Sequence, residues 1–176
     1  MTEIANRFRP DILENEIIKI IPLEESDFGR LFEVASDPLI WEQHPDKNRY
    51  KKEIFQIYFD NAINQKTAFL IIDKATNSII GSTRYYDYNA ENSSIAIGFT
   101  FLVKSHWGGF YNKSCKTLLI EHAFQFVDKI YFHIGAANIR SQMGTSRIGA
   151  HKVDEYESEE NGIITKNHTY LIEKKI

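Results

Sequence analysis

The sequence is short of the residue patterns that several protein classes need. It has one cysteine, Cys115, among 176 residues, so it can form neither an intramolecular disulfide nor a cysteine-based metal cluster. No apolar run approaches the ~20 residues that span a bilayer, and the N-terminal segment lacks the apolar core of a signal peptide. We therefore expect a cytoplasmic protein with no membrane partner and no bound metal.

Excess positive charge is also missing. The chain has 21 Lys and Arg against 24 Asp and Glu, for a net charge of −3. Because nucleic-acid binding needs clustered basic residues to neutralise phosphates, this balance argues against a nucleic-acid partner. Small molecules or basic groups are the expected partners instead.

Length and composition favour one domain spanning residues 1–176. A chain of 176 residues with 43% hydrophobic residues can bury one sizeable core and is short for two. We find no internal repeat and no low-complexity segment.

The first half of the chain alternates predicted strands and helices. A strand is expected over residues 17–23, and a helix over 26–36 with Ser26 as its N-cap. A second helix is expected over about 50–63, and a hairpin joins strands 68–73 and 78–86. The inner stripe of that second helix is predicted to consist of Ile54, Ile57, Tyr58 and Ala62.

The second half begins with a long alternating strand over residues 95–103. Gly98 lies in its middle, which indicates either a bulge or the close approach of another backbone segment or a ligand. An amphipathic helix follows, and His122 and Cys115 on its apolar stripe are expected to have structural roles. A strand over 130–134 completes a crossover that requires a parallel pair.

The rest of the chain is predicted to form one more helix and a closing hairpin. Asn138 should cap the helix and Gly149 should end it, and the hairpin should join residues 151–156 to 165–173. The fold class is therefore α/β in the mixed α+β sense, with helices on the faces of a mixed sheet.

The stretch from Val103 to Asn112 joins the long strand to its helix through two glycines. Gly108 and Gly109 allow inward-turned N–H groups, and the free N–H groups of the helix start favour a phosphate. The alternative is an ordinary turn with no ligand.

The order of several short motifs along nearly the whole chain resembles that of the GNAT N-acetyltransferase superfamily. The likeness is greatest to its branch related to the ribosomal-protein N-terminal acetyltransferases. The motifs are Pro22-Leu23, the segment Asp37-Pro38-Leu39-Ile40-Trp41-Glu42, Ile80-Gly81, Ile97-Gly98-Phe99, Trp107-Gly108, Asn138-x-x-Ser141 and Ile148-Gly149-Ala150.

The resemblance implies a splayed, mostly antiparallel sheet that binds acetyl-CoA in a V-shaped opening. The pantetheine arm would pair with the backbone near Phe101 and Val103, and the pyrophosphate would lie on the loop from His106 to Lys113. Phe110 and Asn112 depart from the small residues common in that loop. The implied cofactor-binding residues are Phe101, Leu102, Val103, His106, Trp107, Gly108, Gly109, Phe110, Tyr111, Asn112, Lys113, Asn138 and Ser141.

Catalytic groups are harder to assign from the sequence. Relatives often have a tyrosine that acts as the general acid where this chain has Thr145. They often have a glutamate that acts as the general base near the position of Ala96. A backbone N–H at the bulge, of Leu102 or a neighbour, is expected to stabilise the oxyanion. The candidate bases are Glu42, His44 and Asp87, with His106 as a further alternative; Glu42 and His44 belong to the segment 41–45 that would wall the acceptor pocket.

The sequence thus predicts an acetyl-CoA-dependent N-acetyltransferase that acts on a primary amine by direct transfer in a ternary complex. A small molecule and a protein N-terminus both stay open as the acceptor, as does a homodimer. The alternative from another class is a noncatalytic acyl-CoA-binding module. A nucleotide-binding protein is disfavoured by the absence of a G-K-[ST] loop.

Overall fold

The computed structural model describes residues 3–44, 46–160 and 163–175, so Pro45 of the predicted acceptor segment lies outside the described residues. The helices are α1 (Glu3–Phe8), α2 (Phe28–Ala35), α3 (Lys52–Gln65), α4 (Phe110–Ala123) and α5 (Ile139–Ser146). The strands are β1 (Leu13–Glu14), β2 (Ile18–Pro22), β3 (Ala68–Asp73), β4 (Ser78–Asn89), β5 (Ser94–Leu102), β6 (Lys129–Gly135), β7 (His151–Glu160) and β8 (Ile163–Glu173).

The strands form one open sheet in the order β1-β2-β3-β4-β5-β6-β8-β7. Every neighbouring pair is antiparallel except β5 and β6, which run parallel because α4 carries the chain between them. The predicted fold class and the predicted parallel pair are both confirmed.

Apolar side chains cover both faces of the sheet. All six residues of β3 are buried, since alternate residues face opposite cores. Phe69 and Ile71 belong to the core under α4, whereas Leu70 and Ile72 belong to the core under α2 and α3. The sheet is therefore a rigid middle layer against which the helices are fixed.

The sheet opens between its two parallel strands. Only three residue pairs join β5 to β6, from Ser94 with Lys129 to Ala96 with Tyr131. Beyond them β6 continues to pair with β8 as far as Gly135, while β5 continues to pair with β4. The facing edges of β5 and β6 are left apart, which gives the V-shaped opening that the resemblance implied.

A bulge lies on β5 beside this opening. Arg84 pairs with Gly98 and Ser82 with Phe101, so β5 has one more residue than β4 across that interval. Phe99 takes a left-handed conformation with φ +53°. Gly98 itself is needed for close approach, because a methyl group there would lie 2.8 Å from Cε1 of Tyr86. The bulge that the sequence allowed is therefore present next to Gly98, while the group that approaches Gly98 is a side chain, that of Tyr86.

Two sequence expectations are corrected, and one helix was missed. Ser26 is not an N-cap: a 3-10 turn begins after Glu24, whose N–H donates to Asp27 Oδ2 at 2.9 Å, and α2 starts only at Phe28. Ile57 is 61% exposed, because Phe55 and Phe59 occupy the inner face of α3. The helix α1 was not predicted at all.

The two predicted structural residues on α4 are confirmed. The ring of His122 is hydrogen-bonded through Nε2 to the carbonyl of Arg7 at 2.9 Å. Cys115 is fully buried, and burial raises the pKa of its thiol to about 12, so it packs as an apolar residue. Within the described ranges, no helix combines the length and the apolar character that a membrane crossing requires.

Candidate active site

A cleft of about 360 Å³ lies in the opening between β5 and β6. Its walls come from the bulged strand, β6, the N-terminal turns of α4, α5 and the segment that precedes α3. Of the residues predicted to bind a cofactor, the cleft is lined by Phe101, Leu102, Trp107, Gly108, Gly109, Asn112, Lys113, Asn138 and Ser141.

We call one part of this cleft the glycine-turn region, formed by Gly108, Gly109, Asn112 and Lys113. Gly108 has φ +71°, a left-handed conformation that side chains disfavour, so the turn depends on glycine there. Gly109 is extended, with φ −110°, and does not need that freedom. No side chain caps the first turn of α4, which leaves its N–H groups available to an anion.

The edge of β5 presents main-chain groups to the cleft. A methyl group on Gly81 would overlap the carbonyl oxygen of Phe101, so that oxygen faces β4. Because the C=O and N–H of a trans peptide point in opposite directions, the N–H of Leu102 faces the cleft. The carbonyl of Leu102 faces the same way and accepts a hydrogen bond from Trp107 Nε1 at 2.7 Å. An amide-bearing chain could therefore pair with this edge.

Asn138 and Ser141 lie at the start of α5, on the β6 side of the cleft. The side chain of Asn138 accepts a hydrogen bond from the Ser141 N–H at 3.1 Å, as an N-cap does. Both side chains also line the cleft, so capping and ligand contact are compatible.

The four other predicted cofactor residues do not line the cleft. The Val103 N–H donates to Ile80 O at 2.8 Å, on the side of β4. The imidazole of His106 packs on the Tyr111 ring at 4.4 Å and lies 3.7 Å from Asp73 Oδ2. The Phe110 side chain is 74% exposed. These four residues shape the loop from outside.

Lys116 is a lining residue that the sequence analysis missed. It is 4% exposed, its Nζ donates to Thr145 Oγ1, and the same nitrogen lies 5.0 Å from the Phe132 ring centroid. None of the described carboxylates forms an ion pair with it. Burial lowers the pKa of Lys116 to about 8, because an ammonium loses its hydration inside the protein.

The second part of the cleft is the Trp41 region, formed by Trp41, His44, Arg49, Phe99 and Thr100. Trp41 is 2% exposed and packs on Phe101 with 5.0 Å between ring centroids. The guanidinium of Arg49 lies 5.7 Å from the Trp41 ring and 5.0 Å from the ring of Tyr58. The hydroxyl of Tyr58 in turn donates to the carbonyl of Phe99 at 2.8 Å, which fixes this region beside the bulge.

His44 lines the cleft but is a poor proton acceptor. Burial, with a further effect of Arg49, lowers the pKa of His44 to about 3. Its Nδ1 faces the N–H of Asp46 at 3.1 Å, and its Nε2 faces Nη1 of Arg49 at 3.1 Å. Because a neutral imidazole has a single acceptor nitrogen, the ring can accept a hydrogen bond from only one of these two donors.

Glu42 lies in an adjoining cavity of about 420 Å³ rather than in the cleft itself. Gln43, His44 and Gly135 line both spaces, so the two are contiguous. Lys47 and Lys166 share the wall with Glu42. The carboxylate thus stands near a route into the cleft.

Asp87 is exposed on β4 and lies outside the lining of the cleft. It takes a left-handed conformation with φ +50°. Its charge raises the pKa of His133, although burial lowers that pKa by more. His133 does line the cleft, and its Nδ1 lies 3.0 Å from the hydroxyl of Tyr86. Asp87 is therefore linked to the cleft electrostatically, through the cleft-lining His133.

The residues that sequence reasoning missed share one property: they approach the cleft from segments far apart in the chain. Arg49 precedes α3, Lys116 belongs to α4, and His133 belongs to β6. Nothing in local periodicity signals such a convergence. In the described part of the chain, no group of three or more His, Cys, Asp or Glu side chains is arranged to hold a metal ion.

The geometry suits a ligand with two chemically different parts. The uncapped start of α4, with Lys113 on its first turn, fits a phosphate-bearing group. The open edge at Leu102 fits an amide-bearing arm that runs along β5. The Trp41 region then lies where the far end of such a ligand would meet a second molecule.

Comparison with known proteins accords with this arrangement. Residues 18–151 match the family model described as an acetyltransferase (GNAT) domain. None of the curated proteins searched matches the chain.

Solved structures share the fold at low sequence identity. A GCN5-related N-acetyltransferase from Brucella melitensis has a TM-score of 0.81 and 16% identity, over 94% of this chain and 81% of that one. RimJ from Mycobacterium smegmatis, in complex with CoA-disulfide, has a TM-score of 0.71 and 14% identity, over 93% and 88%. Spermidine N-acetyltransferase from Vibrio cholerae, in complex with CoA and spermine, has a TM-score of 0.70 and 16% identity, over 90% and 96%.

The family match, over residues 18–151, covers well over half of the chain. This chain belongs to the GNAT acetyltransferase family, whose members are enzymes that transfer an acetyl group from acetyl-CoA.

Proposed function

We propose that the protein transfers the acetyl group to a primary amine directly, within a ternary complex. The observation that carries the proposal is the continuity of the cleft, in which the glycine-turn region and the Trp41 region line one space. Acetyl-CoA and an acceptor could therefore be bound together, which removes the need for an acetylated enzyme. In the transfer the C–N bond forms, the C–S bond breaks, and the proton that the amine gives up balances the one that the thiolate takes.

For acetyl-CoA, we assign the phosphates to the main chain of Gly108 and Gly109 with Asn112 and Lys113. The pantetheine arm is assigned to the β5 edge, where the Leu102 N–H also serves as the candidate oxyanion donor. Asn138 and Ser141 would contact the arm from α5. In this assignment Val103, His106, Phe110 and Tyr111 hold the loop rather than the ligand, and Phe101 and Trp107 supply apolar walls.

The three candidate bases lie in different places and are assigned different roles. Glu42 is proposed to act at the entrance, and Asp87 through His133, while His44 is proposed to position Arg49 rather than to take a proton. No carboxylate among the described residues lines the cleft itself, so solvent is the alternative proton acceptor.

The acceptor class is the least constrained part of the proposal. The motif pattern and, more weakly, the likeness to RimJ support the branch of the ribosomal-protein N-terminal acetyltransferases. In that branch the acceptor would be a protein N-terminus. The likeness to a spermidine N-acetyltransferase supports a small amine as the alternative acceptor. One domain, a cytoplasmic location and a homodimer stay predictions from the sequence.

Release of CoA thiol from acetyl-CoA, measured across a panel of amines, tests the proposal. We expect Glu42→Gln and Asp87→Asn each to lower kcat/KM, at least one by more than 10-fold, with the acetyl-CoA Kd kept within about threefold. Asp60→Asn, on an exposed turn of α3, is the control.

Two results would count against parts of this proposal. If acetyl-CoA raises the melting temperature but no amine releases CoA, direct transfer to an amine is wrong. If both carboxylate variants and His44→Ala keep parental turnover, solvent takes the proton.

A further inference from the structure

The cleft has an unusual charge composition. Among the described residues that line it there is no aspartate or glutamate. The basic and imidazole side chains that line it are His44, Arg49, Lys113, Lys116, His133, Arg140 and Arg147. Phosphates of acetyl-CoA can account for the positive charge near the glycine turn, but not for the positive charge in the Trp41 region.

Arg49 carries the charge of the Trp41 region. Its side chain is 13% exposed, and its Nε lies 3.4 Å from Asp46 Oδ2. Nη1 faces His44, while Nη2 has no hydrogen-bond partner among the described residues. A guanidinium keeps its charge even when burial lowers its pKa, so Arg49 offers the cleft a charged donor.

A second buried arginine adds to the field beside the bulge. The guanidinium of Arg84 lies 3.8 Å from the Phe99 ring and 4.8 Å from the Tyr58 ring, so the two arginines flank Tyr58. Arg84 is 1% exposed, and its Nε has no hydrogen-bond partner. Its described hydrogen bonds go to Gln65 Oε1 and Tyr58 O, both uncharged acceptors. Arg84, whose described partners are uncharged, therefore adds its positive charge to that of Arg49, which pairs with the single carboxylate of Asp46.

Such a region attracts an anion and repels a further cation. We propose that the acceptor is a primary amine that also carries a carboxylate, held by the guanidinium of Arg49. This inference rests on the proposed amine acetyltransferase activity and narrows its substrate class. A planar guanidinium binds a carboxylate through charge-assisted, often paired, hydrogen bonds. A polyamine would instead bring two or more positive charges against Arg49 and is excluded as the acceptor.

The Trp41 indole and the Tyr58 ring keep the guanidinium in place. Cation–π contacts on both rings, together with Asp46 and His44, fix Arg49 in a partly dehydrated position. In that setting a carboxylate contact is stronger than at the surface, because screening by water is weaker. The carboxylate source is either a free amino acid or the side chain of a peptide that begins with Asp or Glu.

The test compares matched acceptors that differ only in the carboxylate. CoA release is measured with free amino acids and with their carboxamides, with short peptides beginning with Asp or Glu and with the Asn or Gln counterparts, and with spermidine. We expect kcat/KM to favour the carboxylate member of a pair by about 10- to 100-fold, the range of a charge-assisted contact. Which set of pairs shows the preference identifies the source.

Variants assign that preference to Arg49. Arg49→Gln should abolish the preference for the carboxylate and leave the acetyl-CoA Kd within about threefold, whereas Arg49→Lys should keep part of it. Arg30→Gln is the matched control, since Arg30 also pairs with an aspartate three residues earlier but is 67% exposed on α2.

The failures of the two proposals are distinguishable. If carboxamides or spermidine are acetylated as well as the carboxylates, the inference about Arg49 is overturned and the amine acetyltransferase activity stands. If the preference survives in Arg49→Gln, another group binds the carboxylate and the assignment is overturned. Absence of CoA release with every amine, despite acetyl-CoA binding, overturns both.

Discussion

The two regions of the cleft are built from different materials. In the glycine-turn region the groups that face the cleft are mainly main-chain N–H groups, held by the conformation of Gly108 and the start of α4. In the Trp41 region they are side chains, of which Arg49 and His44 precede α3 and Phe99 belongs to β5. A main-chain site depends on a few φ and ψ angles, whereas a side-chain site depends on how distant segments pack.

This difference separates what the two regions can recognise. A main-chain site can bind the same phosphate group throughout a family while the surrounding side chains vary. A side-chain site changes with each substitution, so it is the natural place for acceptor specificity. Substitutions in the cleft should therefore divide into those that change CoA affinity and those that change acceptor choice.

The largest effect is expected at Lys116, a buried charge that lines the cleft but belongs to neither region. Its pKa of about 8, against 10.5 in the unfolded chain, corresponds to about 3 kcal/mol of destabilisation at pH 7. Lys116→Met should therefore raise the free energy of unfolding at pH 7 by about 2–3 kcal/mol, less the lost bond to Thr145. Urea denaturation of both proteins measures it.

The pH dependence of stability gives an independent check on Lys116. Between pH 8 and 10.5 the unfolded state binds more protons at Lys116 than the native state, so the stability of the wild type relative to Lys116→Met should rise with pH in that window. The comparison with the variant is needed because the raised pKa of Cys115 acts in the opposite sense in both proteins. Below pH 8 both states are protonated and the penalty is complete. The stability difference between wild type and Lys116→Met should therefore shrink above pH 8, whereas Lys113→Met, at an exposed lysine one turn earlier, should not show this convergence. If Lys116→Met were less stable than the wild type, the buried ammonium would not destabilise the fold.

The next largest effect is expected at Gly108. If it were absent, the glycine-turn region would not depend on main-chain conformation, and the contrast between the two regions would fail. Valine at φ +71° costs about 2 kcal/mol, so Gly108→Val should weaken CoA binding by about 30-fold. Nothing lies within 4 Å of the added Cβ, so strain rather than collision is the cause. Calorimetric titration with CoA measures the change.

Two controls distinguish backbone geometry from charge in this region. Gly109→Ala, at an extended residue, should change the CoA Kd by less than about threefold. Lys113→Ala removes an exposed charge and should cost at most about 1 kcal/mol. Equal losses in Gly108→Val and Lys113→Ala would mean that side-chain charge holds the phosphate, and the two regions would then be alike.

The same contrast explains how much the sequence could predict. The strand at 68–73, the cap at Asn138 and the left-handed Gly149 were correct because each depends on local propensities. Gly108 was found for the same reason. The motif order then gave the family, and with it the opening between β5 and β6.

Residues whose role depends on tertiary packing could not be predicted. Lys116 lies among apolar neighbours on α4, where a lysine would ordinarily reach solvent. Arg49 follows a polar segment and gives no periodic signal, yet packing against Trp41 and Tyr58 buries it. The prediction that Ile57 lies on the inner face of α3 was wrong, because Phe55 and Phe59 pack against the core there and leave Ile57 exposed.

The smallest effect is expected at Gly98, which directly precedes Phe99 of the Trp41 region and where the structure requires a glycine. A methyl group there would lie 2.8 Å from Cε1 and 3.1 Å from the hydroxyl oxygen of Tyr86, whose hydroxyl reaches across to His133. Gly98→Ala should therefore lower the free energy of unfolding by about 1–2 kcal/mol, since overpacking outweighs the gain from replacing glycine in a strand. It should leave the CoA Kd within about threefold.

A double-mutant cycle with Tyr86→Leu tests whether Tyr86 is what requires the glycine. If the ring is the obstacle, Gly98→Ala should cost little in the Tyr86→Leu background, so that the two changes are not additive. Thermal or urea denaturation of the four proteins measures the coupling. Additive costs would mean that the bulge, and not the approach of Tyr86, fixes Gly98, and the side chains of this region would then depend on the main chain as closely as the glycine turn does.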